Sequence, residues 1–202
     1  MRLAILLSGR GSNFAAIHQA IEDRRLNARI VCVISNRPDA AGLARARELG
    51  LSAHAIDHLA YPTRSAHEEQ VLRVLAESEP DFICLAGYMR LLSPAFVAAY
   101  PHRILNIHPS LLPAFSGVDA QAQAVAYGVK LSGCTVHFVD ENLDAGPIVV
   151  QRSVPVLDGD TAEMLAARIL EQEHIAYVEA LIALATRSWR IEGRRVIFEV
   201  SS

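Results

Sequence analysis

Long apolar stretches, clusters of basic residues and paired cysteines are all missing from this sequence. Within its 202 residues no apolar run approaches the roughly 20 residues that a membrane-spanning helix needs. Lysine and arginine number 19 against 22 aspartates and glutamates, which gives a net charge of −3 and leaves no long basic segment. We therefore predict a protein that has neither a membrane nor a nucleic acid as its partner.

Cysteine is scarce, and its spacing forms no recognisable motif. Cys32, Cys84 and Cys134 each lie inside an apolar run, and none of them belongs to a C-x-x-C motif. We expect buried, reduced thiols and a cytoplasmic location. The apolar run at the N-terminus ends at Ser8, which makes it too short for a signal peptide and typical of a first strand.

The sequence does contain enough apolar material for a large core. Hydrophobic residues make up 51% of the chain and charged residues 20%, a composition that argues against disorder. Apolar runs alternate with helix-like segments, which predicts an α/β fold with a doubly wound, mainly parallel sheet flanked by helices. The later runs at 132–139 and 147–156 are predicted to pair at an antiparallel edge, and residues 189–197 to form a C-terminal hairpin.

A glycine-containing loop at residues 8–13 joins the first predicted strand to a predicted helix. Gly9 and Gly11 would let the backbone approach an anion closely, at the helix N-terminus where an anion is favoured. Ser12 and Asn13 are predicted to cap the helix and to add hydrogen-bond donors. The loop favours a cradle for a single phosphate, and an ordinary capped turn is the alternative.

The same loop does not fit a dinucleotide. In the motif G-x-G-x-x-G the third glycine position is occupied by Phe14, and the second predicted strand is followed by Ser35 and Asn36. An NAD site would place an aspartate or glutamate there to bind the ribose. We therefore do not expect NAD as a cofactor.

A second group of polar side chains follows the apolar run at 104–107. Asn106 lies near the end of that run and His108 follows two residues later, so their side chains point the same way on a strand. The loop at 140–146 offers Asp144 as a partner for His108. Ligand sites of parallel sheets gather at the carboxyl ends of strands, which makes these three residues candidates for catalysis. The alternatives are a bonded core histidine, an amide satisfied by backbone and an aspartate that only forms a turn.

The C-terminal third is predicted to contain a long helix reaching about residue 184. Asp160 would open it as the first residue of a capping box. Glu173 interrupts the apolar stripe of that helix, either at the edge of the stripe or inside a ligand pocket. His137 lies in a predicted strand and is expected to be buried, with a pocket-lining role as the alternative. Other histidines are expected at the surface or in loops: His18, His54, His58, His67 and His102.

Several segments, taken together and in this order, carry a resemblance that none of them carries alone. They are 5–13 (ILLSGRGSN), 86–93 (AGYMRLLS), 104–113 (ILNIHPSLLP), 133–140 (GCTVHFVD), 144–147 (DAGP) and 192–196 (EGRRV). In this order and at this spacing the chain resembles the glycinamide ribonucleotide formyltransferases, a folate-dependent family of purine synthesis.

The resemblance implies transfer of a formyl group from 10-formyltetrahydrofolate to glycinamide ribonucleotide. The residues it implies to be catalytic are Asn106, His108 and Asp144. Those it implies for the ribonucleotide are Gly11, Ser12 and Asn13 at the 5′-phosphate, together with Glu173. Those it implies for the folate are Arg64, Met89, Arg90, Leu91, Leu92, Asn106, Val139 and Asp140.

Further expectations concern the whole chain. The scattered histidines and carboxylates show no zinc signature, and the implied chemistry requires no metal. A monomer or a homodimer is expected. We predict one formyltransferase domain spanning 1–202, with a phosphate-binding half at 1–100 and a catalytic and folate-binding half at 101–202.

The chain departs from the family pattern at residues 115–121 (FSGVDAQ). A proline is commoner at the position of Ser116, so we expect a looser loop here. A histidine is commoner at the position of Asp119, so any proton-transfer or phosphate-binding role of that histidine does not apply. Leu170 likewise replaces a polar residue that sometimes occurs there.

Three rival functions deserve comparison. A formyltetrahydrofolate hydrolase and a methionyl-tRNA formyltransferase would share the Asn, His and Asp set. We would expect an N-terminal regulatory domain in the first and a basic C-terminal domain in the second. A nucleotide-binding module without catalysis is the rival from another class, and the intact set of Asn106, His108 and Asp144 argues against it.

Overall fold

A computed structural model describes residues 1–199 of the chain. The chain forms two compact units that divide between Leu105 and Asn106. The division falls inside a strand, which begins in the first unit and ends in the second. The predicted single domain with halves at 1–100 and 101–202 stays a prediction.

The first unit is built on parallel strands. Its strands are β1 (Arg2–Leu7), β2 (Arg29–Ser35), β3 (Ala53–Ala55), β4 (Phe82–Leu85) and the start of β5 (Ile104–His108), and its helices are α1 (Ser12–Glu22), α2 (Ala41–Glu48), α3 (Arg64–Ser78) and α4 (Pro94–Ala99), with a 3-10 turn at His58–Ala60. The order is β3-β2-β1-β4, and every neighbouring pair in it is parallel. All residues from Leu3 to Leu7 are fully buried, because a central parallel strand is covered on both faces.

The second unit combines the end of β5 with antiparallel pairs. Its other elements are α5 (Ala120–Tyr127), β6 (Leu131–Phe138), β7 (Ile148–Pro155), α6 (Ala162–Thr186), β8 (Trp189–Glu192) and β9 (Arg195–Phe198). The order is β5-β6-β7-β9-β8, in which β6 with β7 and β8 with β9 are antiparallel. The apolar stripe of α6, with Tyr177 and Leu181 fully buried, packs against β6 and β7.

The predicted fold class is confirmed as a mainly parallel α/β sheet with helices and antiparallel edge strands. The predicted pairing of 132–139 with 147–156 corresponds to β6 and β7, and the C-terminal hairpin to β8 and β9. None of the helices in the described part of the chain combines the length and the apolar character needed to cross a bilayer.

The predicted caps of α1 are wrong. The helix begins at Ser12, and its N-cap is Gly11 in a left-handed conformation with φ of 74°. Glycine adopts that conformation without the steric cost that a Cβ would impose. Ser12 and Asn13 therefore lie within the first turn of the helix instead of capping it.

The predicted cap of α6 is wrong by one residue. Thr161, and not Asp160, is the N-cap, and its hydroxyl accepts a hydrogen bond from Met164 N at 3.3 Å. Asp160 instead accepts two hydrogen bonds from the Arg168 guanidinium, at 2.6 and 2.8 Å. The Arg168 side chain is the main reason that the pKa of Asp160 falls to about 2.

One histidine is placed differently from the prediction, whereas the cysteines are where they were expected. His67 is only 2% exposed, and its Nε2 donates to the Ile56 carbonyl oxygen at 2.9 Å. Burial lowers the pKa of this imidazole. Cys32, Cys84 and Cys134 are confirmed as buried thiols outside any disulfide.

Candidate active site

The loop at residues 8–13 (the phosphate loop, after its predicted ligand) packs against the start of α2. A Cβ on Gly11 would lie 2.8 Å from Gly42 Cα, and the Gly42 N–H donates to the Gly9 carbonyl at 3.0 Å. Glycine at both positions therefore lets the two backbones touch. The arrangement turns the loop directly into the N-terminus of α1, a position that favours a bound anion.

The segment at residues 87–93 follows β4 and is bonded to the phosphate loop. The Ser8 N–H donates to the Gly87 carbonyl at 3.0 Å, and the Met89 N–H donates to Ser8 Oγ at 2.8 Å. The Ser8 hydroxyl in turn donates to Asn36 Oδ1 at 2.5 Å. Asn36 thus has a structural partner at the position where a dinucleotide site would need a carboxylate. Within the first unit, the segment that carries the predicted folate residues lies beside the predicted phosphate residues.

In the second unit, β5 delivers His108 into contact with Asp144. The His108 Nδ1 lies 3.4 Å from Asp144 Oδ2, with both side chains less than a tenth exposed. The His108 Nε2 lies 2.8 Å from the Phe115 carbonyl oxygen. Both ring nitrogens therefore face oxygen acceptors, and both can donate only when the ring is an imidazolium. The predicted contact of Asp144 with His108 is confirmed, and its catalytic role stays a prediction.

The loop that carries Asp144 is held in place by two glycines. The Gly117 N–H donates to Asp144 Oδ2 at 2.8 Å, so the carboxylate oxygen next to His108 has a fixed second donor. A Cβ on Gly146 would lie 1.9 Å from the Phe138 carbonyl oxygen, a distance that no other residue could tolerate. Asp144 itself has a φ of 49°, which aspartate adopts more readily than most side chains. The segment that departs from the family pattern is thus tied to the His108–Asp144 pair.

Asn106 is held by His137, for which the sequence predicted burial, with a pocket-lining role as the alternative. Its Nδ2 lies 3.3 Å from His137 Nε2, while His137 Nδ1 lies 3.0 Å from the Phe138 carbonyl oxygen. An N–H at Nδ1 leaves Nε2 free to accept from the Asn106 amide. Burial lowers the pKa of His137, which favours this neutral form. The His137 Nε2 is also 3.8 Å from Asp144 Oδ1, so this histidine touches two predicted catalytic residues.

The other predicted residues of the second unit lie near this cluster or on α6. Val139 and Asp140 are half-buried just after β6, and Asp140 accepts the Asn142 N–H at 2.9 Å. Glu173 is half-buried on α6. Burial is the main reason that the pKa of Cys134 rises to about 12, and the charge of Glu173 adds to it. Glu173 therefore lies close enough to Cys134 for its charge to act on that thiol.

The chain belongs to the formyl transferase family, whose model matches residues 1–181. Among its relatives is the phosphoribosylglycinamide formyltransferase of Escherichia coli (strain K12), 40% identical over 199 residues that cover 98% of this chain and 91% of the relative. The crystal structure of glycinamide ribonucleotide transformylase 1 from Symbiobacterium toebii has a TM-score of 0.95 and 49% identity, with 98% of this chain and 93% of that chain covered. The family resemblance predicted from the motifs is confirmed.

Some relatives are much longer than this chain. The trifunctional purine biosynthetic protein adenosine-3 of Drosophila pseudoobscura pseudoobscura is 46% identical over 191 residues. These residues cover 94% of this chain but 14% of that protein. This chain is therefore similar to one part of that longer protein.

Proposed function

We propose that this protein transfers the formyl group of 10-formyltetrahydrofolate to the amine of glycinamide ribonucleotide, a step of de novo purine synthesis. The observation that carries the proposal is the buried contact of His108 with Asp144 at 3.4 Å, beside the Asn106 amide. It occurs in a chain that is 40% identical, over 98% of its length, to a phosphoribosylglycinamide formyltransferase.

The reaction needs groups that stabilise a developing negative charge. The substrate amine attacks the formyl carbon, a new C–N bond forms, and the formyl oxygen becomes an oxyanion. The Asn106 amide and the His108 imidazolium are the donors for this oxygen, and each such donor typically contributes about 2.7–4 kcal/mol. The bond from the formyl carbon to the folate nitrogen then breaks, while a proton moves from the attacking amine to that nitrogen.

Asp144 orients His108 and stabilises its charged form. Its carboxylate lies at ion-pair distance from the ring, with 3.4 Å between Asp144 Oδ2 and His108 Nδ1. The other ring nitrogen, Nε2, donates to the Phe115 carbonyl. The substrate oxygen therefore has to share this N–H with the carbonyl or to replace the carbonyl as its acceptor. An oxyanion is a stronger acceptor than a neutral carbonyl, which favours the exchange as negative charge develops.

Binding roles follow from the resemblance and are compatible with the local geometry. Gly11, Ser12 and Asn13 hold the 5′-phosphate at the N-terminus of α1, and Glu173 contacts the ribonucleotide. The residues assigned to 10-formyltetrahydrofolate are Arg64, Met89, Arg90, Leu91, Leu92, Asn106, Val139 and Asp140. We place the protein in the cytoplasm, as a monomer or homodimer that needs no metal, a location in keeping with its free thiols.

A turnover assay tests this function directly. The purified protein is given 10-formyltetrahydrofolate with glycinamide ribonucleotide, and water as the acceptor in the control. Formylated ribonucleotide that forms only when the acceptor is present supports the transferase. Formate released equally in both reactions would identify a hydrolase, and no product in either would favour a binding module.

A further inference from the structure

The segment at residues 87–93 is anchored at both ends by buried polar side chains. At its start, Ser8 and Asn36 are 5% and 2% exposed, and the Ser8 hydroxyl accepts the Met89 N–H. At its end, Glu68 of α3 is 5% exposed and accepts the Ser93 N–H at 2.9 Å. The Ser93 hydroxyl also donates to Glu68 Oε2.

Glu68 is an unusual residue to find buried on this helix. A carboxylate removed from water costs several kcal/mol unless hydrogen bonds replace its solvation, so its partners must be specific. Both of its oxygens bond to Ser93, which is also the N-cap of α4 and accepts the Phe96 N–H at 3.2 Å. One buried side chain thus joins α3, the segment at 87–93 and α4.

The same carboxylate also contacts Arg64. Its Oε1 lies 3.6 Å from Arg64 Nε, one helical turn away on α3, where the arginine side chain is 44% exposed. The guanidinium therefore keeps a solvent-facing side for a ligand while its Nε faces a fixed carboxylate. Glu68 contacts both elements of the first unit to which folate binding is assigned.

Between the two anchors the segment presents apolar side chains to solvent. Met89 and Leu91 are 78% and 65% exposed. The anchored backbone of this segment has lost part of its conformational freedom before a ligand binds, which lowers the entropic cost of binding. Such a surface suits a flat, partly apolar ligand that carries an anionic tail for Arg64.

We propose that Glu68 is a positioning residue for the folate co-substrate, which fixes the segment at 87–93 and the Arg64 guanidinium relative to each other. The inference rests on the proposed function, because it takes folate binding by this segment as given. A purely structural link between α3 and α4 would stabilise the fold without any preference for one substrate. A positioning role predicts that substitutions of Glu68 weaken folate binding selectively, whereas a purely structural role predicts no such selectivity.

The test measures folate binding separately from turnover. Equilibrium binding of 5-formyltetrahydrofolate by calorimetry, and KM for each substrate, are compared among wild type, Glu68→Leu and Glu68→Gln. Glu69→Leu is the matched control, since Glu69 is the next residue on α3 and is exposed. Thermal melting shows whether each variant is folded.

For Glu68→Leu we expect the folate Kd and KM to rise about tenfold, since the buried Ser93 N–H loses its acceptor. The KM for glycinamide ribonucleotide should stay within about twofold of wild type, as in the Glu69→Leu control. Glu68→Gln keeps an acceptor for Ser93 and loses the charge that faces Arg64, so an intermediate folate Kd is expected from a normally folded protein.

Two results would overturn the proposal: a lower melting temperature with unchanged folate Kd, or equal rises in the KM of both substrates. A normally folded Glu68→Gln variant with wild-type folate Kd would likewise contradict it, even if Glu68→Leu failed to fold. A wild-type protein that binds 5-formyltetrahydrofolate but transfers no formyl group would instead refute the proposed function and leave the role of Glu68 standing.

Discussion

The two units provide their functional groups in opposite ways. The phosphate loop of the first unit offers backbone at a helix N-terminus, in a shape that depends on the close contact of Gly11 with Gly42. The second unit offers side chains, with Asp144 at ion-pair distance from both His108 and His137. A binding site made of backbone should lose affinity when a substitution adds a side chain. A site made of side chains should lose activity when a substitution replaces one functional group, and its activity should depend on pH.

The largest expected effect is in the side-chain cluster. His108→Ala removes a donor to the oxyanion and a group that stabilises charge, so kcat should fall about 1,000-fold, within the range measured for such groups. The melting temperature should change little by comparison. Steady-state kinetics and thermal melting provide the measurements, and His102→Ala, at an exposed histidine, is the control. Near-normal turnover would remove His108 from the mechanism.

A smaller effect is expected from Asp144→Asn, which keeps the shape of the side chain and removes its charge. We expect kcat to fall roughly 100-fold, since the imidazolium loses the carboxylate that stabilises it. Because the carboxylate carries the charge that faces His108, its loss should also change how the rate depends on pH. Rates measured from pH 5 to 9 test this, with Glu141→Gln on the exposed part of the same loop as control. An unchanged pH profile would contradict the pairing.

The backbone site can be tested by adding one methyl group. In Gly11→Ala the new Cβ would lie 2.8 Å from Gly42 Cα, so the phosphate loop has to move. Since misplacement by about 1 Å can cost up to 100-fold, we expect the KM for glycinamide ribonucleotide to rise at least tenfold. Gly50→Ala is the matched control, because Gly50 also has a positive φ but has no atom within 4 Å of its Cβ position. Equal behaviour of the two variants would show that backbone strain, and not the contact with Gly42, controls the loop.

The same contrast explains which features sequence reasoning could predict. The apolar runs predicted the strands, because a strand covered on both faces must be apolar throughout. The meeting of His108 with Asp144 was predictable, since His108 ends β5, Asp144 lies in the loop after β6, and ligand sites gather at the carboxyl ends of strands. In these cases the residues of the segment itself were enough to predict its structure or its place in the sheet.

Features that depend on distant partners were missed. Ser12 and Asn13 have good capping side chains, yet the cap position belongs to Gly11, which has a left-handed conformation and lies too close to Gly42 of α2 to carry a Cβ. The contact of His137 with Asn106 depends on how two strands align, and an apolar strand reveals only that a histidine in it is buried. Asp160 was mistaken for a cap because its partner, Arg168, lies two turns along the helix.

The smallest expected effect concerns the pH dependence of stability, which a site made of side chains should show and a site made of backbone should not. Burial lowers the pKa of His137 below its ordinary value of 6.5, so the unfolded chain binds a proton that the folded chain resists. The free energy of unfolding should therefore fall as the pH drops through 6.5. His137→Gln should reduce the loss between pH 7.5 and 5.5 by up to about 1 kcal/mol. Denaturant unfolding at several pH values measures this, with His102→Gln as the exposed control. A variant whose stability falls as steeply as that of wild type would show that His137 does not carry the pH dependence of the second unit.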